Sequence, residues 1–148
     1  MEHDIQAPVR GNFVYLRADE LRLVLAQDQV GAAEYLDARP QPSAQPGMLR
    51  LPGDEEGRVF AALSPRMGLL PRLPEERFVV TTLAGNDDVA WCWSELQVLI
   101  DVELRPHALP RVLAAPGMPM SAWVEHAGEM AFLCDARRLQ EYVMGRRG

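Results

Sequence analysis

The sequence contains no lysine, since all 15 of its basic residues are arginines. This absence excludes chemistry that needs a lysine, such as a Schiff base or the phosphate-binding lysine of a P-loop. Cysteine is scarce, and both residues, Cys92 and Cys134, lie in apolar runs, as buried free thiols commonly do. No apolar run approaches the roughly 20 residues of a membrane span, and the acidic start resembles no signal peptide. We therefore expect a cytoplasmic protein with reduced thiols.

The residue types of common catalytic and metal sites are present but not at the required spacings. None of the histidines, His3, His107 and His126, has a partner at zinc-ligand spacing. Neither cysteine has a local activating group, and no serine lies in a Gly-x-Ser-x-Gly elbow. The glycines form no phosphate-binding loop. We therefore expect no catalytic residue, no metal ion and no cofactor, and predict that the protein is not an enzyme.

The charge and size of the chain indicate which partners it can have. Its net charge is −6 and its pI about 5.0, so it repels nucleic acid and anionic membranes in the absence of a basic patch, and its arginines are scattered. The 148 residues fit one domain with a sizeable core or, equally, a pair of small subdomains, and the hydrophobic fraction of 48% is ordinary for a globular protein. We expect protein partners, with no nucleic acid, no membrane insertion and no small-molecule substrate.

Short apolar segments separated by turn residues predict a mainly β protein with roughly eight to ten strands. A turn at Ala127-Gly128 predicts a final hairpin, and Gly85-Asn86-Asp87-Asp88 predicts a central one. In residues 97–104, alternation predicts one apolar face, composed of Val98, Ile100, Val102 and Leu104. The other predicted strands span residues 13–17, 21–26, 58–63, 77–83, 89–93 and 130–134, with a less distinct one at 30–36.

Two further segments differ from this β pattern. Residues 39–57 contain four prolines and an acidic triplet, which predicts a loop. Residues 136–144 form one apolar stripe at helical spacing after Asp135, a good N-cap, which predicts a short C-terminal helix.

Trp91 and Trp93 have the same parity along one predicted strand, so both point to one face. Two tryptophans on one face are most often core, which we favour, although a partner-binding surface is the alternative. The Met- and Pro-rich residues 116–120 present the same choice between a plain loop, which we favour, and an adaptable binding surface.

Four blocks of the chain together resemble the CheW-like family of bacterial chemotaxis coupling proteins. The blocks are the opening hairpin from Phe13, the apolar strand and corner at residues 59–69, the central hairpin and next strand at residues 78–102, and residues 109–139 from Leu109-Pro110 to the closing helix. The resemblance implies two small five-stranded SH3-like β-barrels that share a core, intertwined in a single domain over residues 1–148. It implies a non-catalytic adaptor that couples chemoreceptors to a CheA-type histidine kinase.

The resemblance also implies where partners bind: at the loop around Arg50, at the corner formed by Arg66 and Met67, and along a groove near Tyr35. The sequence departs from the family pattern at three points. The acidic stretch at residues 52–57 interrupts the segment that follows Arg50, Ser64-Pro65 replaces an acidic residue before Arg66, and Ser94 stands where an aspartate is common. These departures indicate an accessory member, for instance of a pilus or surface-motility pathway.

Two other classes fit the composition. A small acidic cytosolic secretion chaperone would contain more helix than the pattern predicts, so a helix content above about one third would favour it. A small-molecule-binding β-barrel would need an enclosed pocket with convergent polar groups, which no motif in the sequence locates.

Overall fold

The computed structural model describes residues 7–53, 57–114 and 117–145, which form a mainly β protein with one short C-terminal helix, as predicted. The helix, α1, spans Ala136–Gly145. The strands are β1 (Val9–Ala18), β2 (Leu21–Ala26), β3 (Glu34–Tyr35), β4 (Gln41–Pro42), β5 (Leu49–Arg50), β6 (Val59–Ala62), β7 (Val79–Leu83), β8 (Asn86–Trp93), β9 (Glu95–Leu104), β10 (Met120–His126) and β11 (Glu129–Cys134).

The strands form two mixed sheets. The terminal sheet has the order β10-β11-β2-β1-β9 and unites the two ends of the described chain, while the central sheet has the order β3-β7-β8-β6-β5-β4. Each sheet contains one parallel pair, β11 with β2 and β6 with β8, among antiparallel ones. The chain therefore starts in the terminal sheet, builds the whole central sheet from the consecutive strands β3 to β8, and returns, so only the terminal sheet combines distant segments of sequence.

Both sheets bury side chains on both faces. One apolar cluster lies between the sheets, a second belongs to the central sheet and a third to the terminal sheet. Strand β8 shows how alternation produces this arrangement: Trp91 and Trp93 enter the cluster between the sheets, while Ala90 and Cys92 enter the cluster of the central sheet. Both tryptophans are fully buried, so the prediction that they are core is confirmed.

An ion pair joins the two sheets. Arg77 precedes β7, is completely buried, and donates from Nη2 to Oδ2 of Asp19 at 2.9 Å and from Nη1 to the carbonyl of Cys92 at 3.4 Å. Asp19 lies in the β1–β2 turn with φ 55, and its N–H donates to Oγ of Ser94 at 3.0 Å. Ser94, one departure from the family pattern, therefore fixes the turn that presents the carboxylate to Arg77.

The terminal elements agree with the predicted turns and cap. The first hairpin is confirmed, with β1 beginning four residues earlier than predicted, at Val9. The last hairpin turns at Ala127 and Gly128, with φ 53 and 80, the left-handed backbone that a two-residue hairpin loop requires. Asp135 caps α1 by accepting the N–H of Arg138 at 3.0 Å.

The central elements correct several predictions. The central hairpin turns at Ala84 and Gly85, with φ 101 at the glycine, and Asn86 already belongs to β8, because a two-residue loop suffices. Residues 30–36 contain only the two-residue strand β3. Residues 39–57 include β4 and β5 and so are not entirely loop, since β5 pairs with β6; residues 54–56 of that segment lie outside the described part.

The predicted apolar face of β9 is wrong. A bulge opposite Gly11 and Phe13 shifts the register, and Asp101 within it has φ 53. Val102 and Leu104 consequently join Leu99 in the core of the terminal sheet, whereas the side chains of Val98 and Ile100 are 47% and 59% exposed. Strict alternation cannot hold across an inserted residue.

Candidate partner-binding site

The corner that follows β6 is a tight turn organised by Ser64. Its Oγ accepts the N–H of Arg66 at 3.2 Å and of Gly68 at 3.0 Å, and its own N–H donates to the carbonyl of Gly68 at 2.7 Å. Met67 takes a left-handed conformation, with φ 63, so its side chain turns into the core and is 4% exposed. Arg66 is exposed on the outside of the same turn.

Arg66 and Met67 line a cleft of about 150 Å³, which we call the corner cleft. Its walls come from the terminal sheet, the corner, the segment before β10, and α1. The lining residues are Leu21, Pro65, Arg66, Met67, Leu113, Met118, Met120, Phe132 and Tyr142. The cleft is thus apolar and rich in methionine, whose flexible thioether adapts to partners of different shape.

Two arginine side chains lie at the corner cleft. Arg66 is the one charged residue in its lining, and among the described residues it makes no ion pair. Arg138 of α1 donates to the carbonyl of Met118, a lining residue, at 2.8 Å and so places a second exposed guanidinium beside the cleft. An acidic partner would therefore meet a favourable local field on a chain whose net charge is −6.

Tyr35 lies on a second surface, at the edge of the central sheet. Its ring is stacked on Phe78, with centroids 6.2 Å apart, and the two residues are 70% and 48% exposed. The neighbouring Glu34 accepts a two-pronged hydrogen bond from Arg58, at 2.8 and 3.2 Å, which holds the pKa of Glu34 below its usual value. We call Tyr35 and Phe78 the aromatic pair.

Arg50 lies near the start of β6, where it pairs with Val59 across the sheet. It borders an open hollow of about 620 Å³ formed with residues 41–45 and 51–52. Gly57 has φ 75, a conformation that favours glycine, and a Cβ there would lie 2.6 Å from Nη1 of Arg50, so a larger residue would displace this guanidinium. The chain then continues to Arg58, which contacts Glu34 beside the aromatic pair.

The four predicted site residues therefore divide between the two ends of β6. Arg50 is opposite Val59 at the start of the strand, and Arg66 and Met67 follow its end. At about 3.3 Å per residue, the four residue steps from Val59 to Leu63 alone separate the two ends by roughly 13 Å. The corner cleft and the surface around Arg50 and Tyr35 are consequently two sites, which one partner contacts together only if it spans that distance.

Several residues of these surfaces were not predicted. Phe78 was expected only as part of a strand, and Phe132 and Tyr142 only as strand and helix residues. Met118 and Met120 belong to the segment for which an adaptable surface was the less favoured interpretation. The methionine content of residues 118–120 was the available signal, whereas the approach of α1 and β11 to the corner requires the tertiary structure.

No family model matches the chain, and no curated protein is significantly similar to it. No helix among residues 7–53, 57–114 and 117–145 is both long and apolar enough to cross a membrane. The same ranges contain no group of three or more His, Cys, Asp or Glu side chains that could hold a metal ion.

Both cysteines should be unreactive in the folded protein. Burial raises the pKa of the Cys92 thiol and of the Cys134 thiol to about 12, so the thiolate fraction at pH 8 is on the order of one in ten thousand. We expect iodoacetamide at pH 8 to leave the native protein unmodified and to alkylate two thiols in urea, as measured by intact mass. Because these pKa values are raised, the thiols should favour folding fully below pH 8 and progressively less towards pH 12. Rapid native alkylation would contradict this.

Proposed function

We propose that this protein is a non-catalytic cytoplasmic adaptor of the CheW type, which binds a CheA-type histidine kinase and a chemoreceptor. In this proposal the corner cleft receives the receptor, because it is an apolar cleft between the corner after β6, the terminal sheet and α1. The surface around Arg50 and Tyr35 is available to the kinase. The observation on which the proposal depends is that Arg66 and Met67, in the corner after β6, meet residues of the terminal sheet and of α1 in one cleft.

The arrangement of the core supports the two-barrel architecture that this proposal requires. Each sheet encloses an apolar cluster of its own and shares a third with the other sheet. In the terminal sheet, the chain beyond β9 approaches the opposite edge strand, since His107 and Trp123 exchange backbone hydrogen bonds of 2.8 and 3.0 Å. Gln97 of β9 also lies 3.1 Å from His126 at the end of β10. These contacts favour a sheet that curls towards closure, as an SH3-like barrel does.

The departures from the family pattern support an accessory role. Ser94 is buried and serves the turn at Asp19, and Ser64 organises the corner through backbone hydrogen bonds. Both positions thus retain a structural use while lacking the acidic groups expected from the resemblance. We propose that the protein serves a pathway with its own receptor, such as a pilus or surface-motility system.

The alternatives receive less support. The described residues contain one α-helix, of ten residues, which is well below the helix content expected of a secretion chaperone. The lining of the corner cleft contains one charged side chain, Arg66, and one tyrosine, Tyr142, among apolar side chains, whereas a small-molecule site needs several convergent polar groups. The exposed aromatic pair and the corner cleft are both surfaces that a protein partner could contact.

The test is affinity capture, in which the tagged full chain is incubated with a lysate of the organism that encodes it and the captured proteins are identified by mass spectrometry. We expect a histidine kinase or a methyl-accepting receptor to be recovered, and to be lost when Met67 and Phe132 are both changed to alanine. Recovery of a secreted effector, with neither kinase nor receptor, would overturn the adaptor function. As a control for folding, the circular dichroism spectrum of the double variant should match that of the wild type.

A further inference from the structure

A separate pocket of about 200 Å³ lies beside the aromatic pair, and we call it the arginine pocket. The buried residues Leu73 and Arg77 form its floor, and the exposed residues Asp37, Arg39 and Phe78 form its mouth. Sites for drug-sized ligands usually measure about 300–1,000 Å³. The arginine pocket therefore accommodates a group of only a few atoms.

Arg77, at the floor of the pocket, has a donor that the protein does not use. Its Nη2 donates to Asp19 at 2.9 Å, and its Nη1 donates to the carbonyl of Cys92 at 3.4 Å. Nε has no hydrogen-bond partner, and among the described residues it is the one buried side-chain nitrogen or oxygen of which this is true. An unpaired buried donor costs stability, so an acceptor that enters the pocket and reaches Nε relieves that cost.

Arg39, at the mouth, is a cation without an acidic partner. It donates to two backbone carbonyls and forms no ion pair within the described ranges of the chain. Burial raises the pKa of the Cys92 thiol to about 12, against the opposing effect of positive charges, which belong to Arg77, Arg39 and Arg58. Both guanidinium groups of the pocket therefore act on the same buried thiol.

The balance of charge in the lining favours an anionic acceptor. Arg39 and Arg77 supply two positive charges, and Asp37 supplies the one negative charge of the lining. Asp19, which neutralises Arg77, lies outside the lining. Among the described residues Asp37 forms no ion pair, so it opposes an anion from the mouth of the pocket without cancelling Arg39 directly.

We infer that the arginine pocket binds one carboxylate group, which accepts hydrogen bonds from Nε of Arg77 at the floor and from the guanidinium of Arg39 at the mouth. A carboxylate is small, accepts through both oxygens and forms its strongest hydrogen bonds with guanidinium groups. Phe78 then contacts the apolar part of the molecule that carries the carboxylate. That molecule is a small free carboxylic acid or an acidic side chain of a protein, and the inference does not depend on the adaptor function.

Titration of the isotope-labelled full chain with sodium acetate, followed by NMR, tests the inference. We expect a saturable shift of the Arg77 Nε–H resonance, with a Kd on the order of millimolar. Sodium chloride at the same ionic strength is the control for charge screening. A response to acetate no larger than the response to chloride would overturn the inference and would indicate that water satisfies Nε.

Two variants at the mouth should change the affinity in opposite directions. Arg39→Gln should raise the Kd for acetate about tenfold, because it removes a charged donor. Asp37→Asn should lower the Kd about twofold to fivefold, because it removes repulsion at an exposed position. This gain in affinity cannot result from a loss of folding. The matched control is Arg72→Gln, because Arg72 is exposed and lies outside the lining. A Kd that neither mouth variant changes would refute the site.

A pair of blocked amino acids identifies the source of the carboxylate. Glutamate that is acetylated and amidated retains only its side-chain carboxylate, and the glutamine counterpart lacks it. Binding of the blocked glutamate at least as tight as that of acetate would support an acidic side chain of a protein. Weaker binding than that of acetate would support a free acid. Equal binding of the blocked glutamine and the blocked glutamate, with a measurable Kd, would overturn the inference, because the carboxylate would not be what the pocket recognises.

Discussion

Asp19→Asn should destabilise the protein by about 3 kcal/mol, the lower end of the range for breaking a buried ion pair. Arg77 is completely buried, and Asp19 is its one acidic partner among the described residues, at 2.9 Å. The amide retains the shape of the side chain and tolerates the left-handed φ of 55, so the substitution removes little except the charge. We choose the lower end because the Asp19 side chain is 32% exposed and water can partly replace it. Urea unfolding measures the difference.

The structure provides a closely matched control in Asp101→Asn. Asp101 also has a left-handed φ, of 53, and also forms an ion pair, with Arg10 at 3.1 Å, but its side chain is 73% exposed. Surface pairs of this kind contribute under about 1 kcal/mol. Equal losses for the two variants would show that Arg77 obtains no special stabilisation from Asp19. The double variant Asp19→Asn with Arg77→Met should recover part of the loss, because no unpaired buried charge remains.

Arg66→Glu should weaken partner binding at the corner cleft about tenfold to a hundredfold, since reversing a charge at an interface adds repulsion to the loss of attraction. Arg66 is exposed, and the structure describes no ion pair that the change would break, so the melting temperature should stay close to that of the wild type. Isothermal titration calorimetry with the captured partner measures the affinity.

Two further arginine variants make this result specific. Arg72→Glu changes the same charge at an exposed position outside the cleft lining and should leave the affinity unchanged. Arg50→Glu acts at the other end of β6 and should affect only the partner that binds there. Loss of one partner with Arg66→Glu and of another with Arg50→Glu would establish two sites. Unchanged binding in the Arg66 variant would remove the corner cleft from the proposal.

Local patterns in the sequence determined much of the fold. Apolar segments bounded by turn residues predicted strands at residues 21–26 and around Trp91, and the Ala127-Gly128 turn and the Asp135 cap defined the last hairpin and the helix. These features depend on neighbours within a few residues, so the residues themselves specify them. The burial of both cysteines followed for the same reason, from the apolar runs that contain them.

The tertiary structure decided what depends on distant pairing. The bulge opposite Gly11 and Phe13 exposed Val98 and Ile100, and pairing with β6 made Leu49–Arg50 a strand within a proline-rich segment. Likewise, the resemblance predicted Arg50 and Arg66 as binding residues, but only the packing of β6 places them on two separate surfaces. Composition alone determined the net charge and excluded lysine chemistry. The positions of the corner cleft and of the ion pair at Arg77 instead arise from long-range contacts that no local pattern encodes.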